Sequence, residues 1–239
     1  MASQITSPGS APPLAPTNVV ISSNAQNLNL WNHLLSTGAA SAGVAGSWTV
    51  TIASGVIVGS ASSTLPALDT GVFPAGSTLQ LVNNGTIAGA GGKGGNGAVC
   101  LPSGSSPATP GLAGGTALRA QVALSVVNNG AVWGGGGGGG GGVGNFGQAG
   151  GGGGGAGMAV AAGGTPGGGA GTLSTGGAGY DSGFGIGGNG GDAGQPGSTG
   201  GISEFPCQTV GAGGAAGAAT IGNSFITWTT AGDRRGPLN

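Results

Sequence analysis

His33 is the only histidine of the 239 residues, and the acids Asp69, Asp181, Asp192, Glu204 and Asp233 stand far apart. A nucleophile–histidine–carboxylate triad needs a positioned imidazole, and a histidine metal centre needs several. His33 instead sits in the apolar stretch Leu28-Asn-Leu-Trp-Asn-His-Leu-Leu35. Gly89-Ala90-Gly91-Gly92-Lys93-Gly94 lacks the Gly-Lys-Ser/Thr ending that holds phosphate and magnesium. The many Gly-x-Gly-x-x-Gly matches follow from composition alone. Asp181-Ser182-Gly183 and Asp192-Ala193-Gly194 read as turn residues or as side chains at the edge of a column. These residues predict no enzyme, no metal site and no cofactor.

The charge pattern excludes further classes. Lys93, Arg119, Arg234 and Arg235 are the only basic residues and the formal net charge is −1, so no field gathers a phosphate backbone, and nucleic acid is not an expected partner. No window supplies the roughly 18 apolar residues of a membrane span, and residues 1–16 lack the pattern of a secretory signal. Cys100 and Cys207 stand beside proline-containing loops. They serve either as separate thiols or as a candidate disulfide that would tie glycine tracts together.

The elements that must position any site are unusual. Glycine supplies 64 residues, while charged and aromatic residues each make up 4%. Few large side chains are available for a core, and ordering glycine is entropically costly. The bare tracts either pair their backbones with one another or remain flexible linkers. The expected organisation has four parts: residues 1–45, an extended, proline-containing arm with a brief helix or docking turn at 28–35; 46–133, short strands with an inserted glycine tract and loop; 134–217, a sandwich of glycine helices; and 218–239, a closing strand and tail.

Within 46–133, Trp48-Thr-Val-Thr-Ile52 alternates as a half-buried strand, and Gly55–Gly59 answers it across a short turn. Leu79-Gln-Leu-Val-Asn-Asn-Gly85-Thr-Ile-Ala-Gly89 is echoed 45 residues later by Leu124-Ser-Val-Val-Asn-Asn-Gly130-Ala-Val-Trp-Gly134. Each unit has a strand, an Asn-Asn-Gly turn expected to use positive φ, a second strand and a glycine run. The fold class read from this is mainly β, with short solenoid-like rungs followed by polyglycine II helices. Leu79, Leu81, Ile87, Leu124, Val126, Val132, Phe225, Ile226 and Trp133 are expected to form a thin apolar layer. A three-residue repeat puts side chains in columns, so the run Gly134–Gly142 suits a fully surrounded position, and columns bearing Lys93, Asn96, Asn189 or Asp192 suit a solvated face.

Loops held at the ends of such tracts are natural contact surfaces. The candidates are 98–110 with Leu101 and Pro102, 158–162, 172–186 with Leu173, Tyr180, Phe184 and Ile186, and 202–210 with Glu204 and Phe205. The alternative for Tyr180 and Phe184 is that they plug gaps in the scaffold, which is also the expectation for Phe146.

Leu79 through Gly92, together with Gly213 through Gly217 and Gly222-Asn-Ser-Phe-Ile-Thr-Trp228 to Gly236, resembles the glycine-rich distal domains of tailed-bacteriophage tail fibres and receptor-binding tail-tip proteins. The resemblance covers about residues 47–236. It implies a non-catalytic adhesin at the distal virion tail, made in the host cytoplasm, whose loops contact lipopolysaccharide, an outer-membrane protein or a pilus. Large tail-tip proteins carry a long N-terminal structural region; none is expected here, and its role is expected to fall to the short lead, residues 1–45. Attachment to other tail proteins is therefore expected through Leu28, Leu30, Trp31, Leu34 and Leu35. A homotrimer is implied by fibre architecture alone, and self-pairing tracts equally allow a monomer. The competing reading is a structural tip or fibre adaptor without receptor contact.

Overall fold

The structure, a computed structural model, describes residues 15–102, 104–144, 147–159, 161–203 and 207–239. Its framework is a coil of stacked rungs. The first rung holds β1 (Thr17–Ile21), β2 (Ala25–Gln26) and β3 (Leu28–Asn29), followed by the helix α1 (Leu30–Ser36). The second holds β4 (Ser47–Ile52), β5 (Ile57–Gly59) and β6 (Leu68–Asp69). The third has β7 (Thr78–Asn83) and β8 (Thr86–Ala88); the chain then makes an excursion containing β9 (Val99–Leu101) and β10 (Gly104–Ser106) before completing the rung with β11 (Leu118–Arg119). The fourth has β12 (Leu124–Asn128) and β13 (Ala131–Trp133), then a longer excursion containing β14 (Gly147–Gln148), and closes with β15 (Thr220–Ile221). The last has β16 (Ile226–Thr230) and β17 (Asp233–Arg235). Three parallel sheets result, in the orders β1-β4-β7-β12-β16, β2-β5-β8-β13-β17 and β3-β6-β11-β15.

Alternation decides which side chains enter the coil. In β4, Trp48, Val50 and Ile52 are buried and Ser47, Thr49 and Thr51 face outward. In register with them, Leu79 and Leu81 of β7 and Leu124 and Val126 of β12 complete the first wall; Ile87 and Val132 come from the second, and Leu68 and Leu118 from the third. Six of the nine residues expected in the apolar layer are buried; Ile226 and Trp133 are partly covered, and Phe225 is exposed, because its place is a short 3₁₀ turn outside the wall. Residues 17–29 are rung strands rather than an extended arm, since Val19 and Ile21 pair in register with Val50 and Ile52. Segment 55–59 likewise does not stay with β4 but starts the second sheet.

The repeated Asn-Asn-Gly sequences turn corners between the first and second sheets. Neither Gly85 nor Gly130 has positive φ, contrary to expectation. Glycine is required there by proximity: a Cβ on Gly130 would strike the Gly85 carbonyl, and one on Gly85 would strike that of Val56. The 45-residue spacing stacks Asn83 beneath Asn128, both fully buried. Asn83 Nδ2 donates to Asn128 Oδ1 at 2.8 Å and to the Ala131 carbonyl at 3.0 Å, while Asn128 Nδ2 donates to the Ala231 carbonyl at 2.8 Å.

The glycine tracts are not a domain that follows the rungs. They are two insertions between the second and third sheets, residues 89–117 in the third rung and 134–219 in the fourth, and they fold as one body, so the expected division at 133/134 does not separate them. The β8–β13 pairing runs straight into the tracts: Gly89, Gly92, Gly95 and Ala98 donate to the carbonyls of Trp133, Gly136, Gly139 and Gly142. The pairing period thus changes from two to three. In the run Gly134–Gly142, every N–H donates, to segments 109–115, 150–156 and 195–198 and to Arg235, at 2.7–3.0 Å. Every carbonyl of the run accepts, from segments 92–98, 188–194 and 211–217. The run is buried throughout, as is 149–157, while Lys93, Asn96, Asn189 and Asp192 are exposed, as the three-residue columns predict.

Two predictions follow from this packing. A side chain at Gly138 would run into the Lys93 carbonyl, which itself accepts a tract hydrogen bond from Leu112, so no flexible atom can give way. Gly138→Val should cost more than about 4 kcal/mol and abolish cooperative melting by calorimetry; an unchanged melting curve would refute the assignment. The second concerns Asp69, where burial raises the pKa but is outweighed by hydrogen bonds from Arg119, Gln121 and the Gly71 N–H and by the Arg119 charge, holding it below the ordinary value. A depressed folded-state pKa contributes stability above the unfolded value of about 3.9, and this is lost as pH falls through the folded one. Asp69→Asn should remove part of the acid-side slope of stability below about pH 4, measured by urea unfolding.

Candidate functional site

The tracts have two ends. The end near the rungs carries the turns at 157–159, 161–162, 172–176 and 192–195: Met158 N–H bonds the Gly89 carbonyl, Gly157 N–H that of Thr172, and Gly194 N–H that of Gly134. Of the described residues, the far end carries 98–102, 104–109, 143–144, 147–149, 165–167, 180–186, 201–203 and 207–210. The expected loops therefore separate. Leu173 and the described residues of segment 158–162 lie at the rung end, whereas Leu101, Pro102, Tyr180, Phe184 and Ile186 lie together at the far end. Glu204, Phe205 and Phe146 fall outside the described residues.

The far end is built on a small base. The β10-β9-β14 sheet is antiparallel, unlike the walls of the coil. Ala98, Cys100 and Val143 form its buried centre, with Ala108 and Val210 packed against them. Val143 bridges to Ile202 in parallel, and Asp181 bridges to Ile186 across a tight turn. That turn is closed by Gly183 N–H donating to Asp181 Oδ1 at 2.8 Å, with Gly183 at φ +77°. The Phe184 ring lies against Gly147 and the Tyr180 ring against Gly167, so both aromatic residues use a bare backbone as a seat. Each nonetheless remains largely accessible: Leu101, Tyr180, Phe184, Ile186 and Ile202 are between 43 and 65% exposed. Cys100 and Cys207 are joined as a disulfide, Cα–Cα 6.2 Å, which links loop 98–109 to loop 201–210.

Charge is nearly absent from this surface. Among the described residues of the far-end loops, Asp181 is the only charged side chain, and all four basic residues lie elsewhere, on tract 89–98 or on the rungs. Among the described residues no cluster of His, Cys, Asp or Glu is suited to a metal ion, and no helix is long and apolar enough to cross a membrane.

The sequence model of the phage tail fibre adhesin Gp38 family matches residues 16–239. The chain belongs to that family. Its coordinates are similar, over 94% of this chain and 82% of the other, to those in the crystal structure of the gp37–gp38 adhesin tip complex of the bacteriophage S16 long tail fibre, with 28% identity and a TM-score of 0.66. No curated protein sequence matches the chain. It is thus a non-catalytic receptor-binding protein of the virion tail tip.

In this adhesin the N-terminal apolar residues have a different first task from the one expected. Asn29 caps α1, its Oδ1 accepting from the Asn32 N–H at 3.0 Å, and Leu30 and Leu34, one helical turn apart, are fully buried in the core of the coil. Leu28, Trp31 and Leu35 are half-buried. Trp31 packs against Phe73 and Trp48 at ring centroid distances of 4.9 and 5.9 Å. Docking through Leu30 and Leu34 would require opening that core.

Ile202 is the far-end residue that the sequence reading did not single out. It is a lone branched residue after a glycine pair, and only the bridge to Val143 reveals that it stands beside Ile186, whose carbonyl accepts from Gly201. Because Phe184 is seated on backbone rather than on a side-chain core, Phe184→Ala should change the melting temperature by no more than about 2 °C, as expected for surface substitutions.

Proposed function

We propose that the far-end loops of this adhesin are its receptor-contacting face and that the receptor is a protein of the bacterial outer surface. The observation that carries this reading is the group of five accessible apolar side chains, Leu101, Tyr180, Phe184, Ile186 and Ile202, on loops with one acid and no base among their described residues. Exposed aromatic and branched residues clustered on rigid supports are typical interface anchors. Lipopolysaccharide is rich in phosphate and would call for lysine or arginine, which this face lacks. A surface protein fits better than an anionic glycan.

The glycine tracts are read as polyglycine II helices. Support comes from the three-residue register of every tract pairing and from six neighbouring segments around Gly134–Gly142, three accepting from it and three donating to it. Every N–H and carbonyl of that run is paired within the chain, so the tract leaves no backbone group that needs a second copy.

Attachment is assigned to the first rung. β1, β2 and β3 each end a sheet, so among the described residues these three strands have no further strand beside them, and the sequence holds no Asp, Glu, Lys or Arg before Asp69. The opposite edge is guarded: β17 reads Asp233-Arg234-Arg235, with Arg234 over Trp228 and Arg235 over Trp133 at 4.6 and 4.4 Å. Charge on an edge strand deters pairing, and its absence permits it. The gp37–gp38 complex of phage S16 supports a fibre protein as the partner.

Purified protein should bind cells of the propagating host strain, and Phe184→Ser should weaken binding about tenfold or more, with Leu173→Ser without effect. Binding should persist from about 0.1 to about 1 M salt, across which the screening length falls from about 10 to about 3 Å. Loss of binding at high salt, or equal effects of the two substitutions, would refute the apolar protein-receptor reading. Val20→Lys, which adds charge to the first rung, should prevent incorporation into particles while leaving binding by the isolated protein intact; normal incorporation would refute attachment there.

A further inference from the structure

The far-end loops are held in relative position by a small side-chain centre, Ala98, Cys100 and Val143 with Ala108 and Val210 against them. Glycine-tract hydrogen bonds stop at Ala98, which donates to Gly142, and at Val143, which donates to Gly201. Beyond that point, among the described residues, Ser203 N–H donates to the Val143 carbonyl at 3.0 Å, Cys207 N–H to the Gly144 carbonyl at 3.4 Å and Gln208 Nε2 to Ser105 Oγ at 3.1 Å, and Val210 packs against the small apolar centre. To these the disulfide adds a covalent tie between the loop carrying Leu101 and the loop that follows Ile202. Its two halves differ. Cys100 is buried in the small apolar centre with Ala98 and Val143, whereas Cys207 is exposed.

We propose that the Cys100–Cys207 bridge is a positioning element of the receptor face that forms only after the protein leaves a reducing cytoplasm, making host binding responsive to redox state. The inference rests on reading the far-end loops as that face. Cytoplasmic thiols are kept reduced, so a chain made there holds both cysteines as thiols. Bonding Cys100 to Cys207 removes two protons and two electrons. Outside the cell these pass to a low-molecular-weight disulfide: the exposed Cys207 thiolate attacks it and releases one small thiol. Cys100 then displaces the second thiol from the mixed disulfide. The body does not depend on this step, because the central tracts and the rung walls are paired without either sulfur.

The test uses the full chain under oxidising conditions, after treatment with dithiothreitol, and after reoxidation by glutathione disulfide. The probe is intact cells of the propagating host strain. Reduction should release two thiols, lower cell binding about tenfold, and accelerate amide exchange about tenfold in 98–109 and 207–210 while β4, β7 and β12 stay protected; reoxidation should restore binding. Cys207→Ser, which leaves the buried Cys100 site untouched, should bind like the reduced protein and ignore dithiothreitol. Equal binding in both redox states, or two free thiols in protein isolated from released particles, overturns the inference and leaves the receptor reading standing. Absence of binding in either state by folded protein overturns both.

Discussion

Everything in this molecule depends on one requirement: backbone N–H and C=O groups removed from water must find partners, and here the partners are other backbones. Conventional domains meet that demand inside helices and sheets and fill the space between them with side chains. In this adhesin the space itself has been removed. Each position from Gly134 to Gly142 sits so close to a neighbouring segment that a methyl group would overlap a carbonyl. None of these glycines has positive φ, so conformational freedom is not what they provide. Their use is thinness, which lets extended segments approach within hydrogen-bond distance on every side.

Ordering glycine is costly, and the tracts have little side-chain burial to offset that cost. The rungs supply a packed frame. β8, β13 and β17 are already in register when they leave the second sheet, and the first tract hydrogen bonds, Gly89 to Trp133 and Gly134 to Arg235, continue that ladder. On the return, Ala117 and Leu118 donate to Ala218 and Ala219 as the third sheet resumes. The tracts are thus held at both ends by strands whose side chains do pack. The buried Asn83–Asn128 pair fixes the corner just before the departure point, so a polar contact inside the coil sets the register of the glycine body outside it.

The rungs could be read from the sequence because they obey an ordinary rule. β4, β7 and β12 alternate, and the 45-residue echo of Asn-Asn-Gly is the spacing at which Asn83 and Asn128 stack. The surrounded position of Gly134–Gly142 was legible for a similar reason, since only an unbroken run can be enclosed on every side. What sequence could not convey was topology. Nothing in the string states that 134–219 is an insertion between two strands of one rung, and so the end of the body at which Leu173 emerges was not legible. Residues 15–45 misled because proline and serine mask a short strand that depends on pairing with β4. The Gly85 and Gly130 corners misled because a glycine after asparagine has two physical uses, positive φ and close approach, and local sequence does not distinguish them.

The same architecture explains why chemistry is confined to the tips. Along a tract a long side chain stands on an outward column, as at Lys93 and Asn96, where it faces solvent singly, while buried tract positions hold glycine or, as at Ala90 and Ala156, alanine. Only where tracts end can several side chains converge from separate segments, and the far end brings together five such ends. There the constraint reverses: with no glycine lattice to order them, the loops rely on a few hydrogen bonds, the seats that Gly147 and Gly167 offer to aromatic rings, and one disulfide. Substitutions on this surface disturb few packed atoms, whereas nearly any substitution in the central runs meets a carbonyl. The fold therefore concentrates its packing constraints in the central lattice, and exposed loop residues can change with little effect on the backbone pairing beneath them.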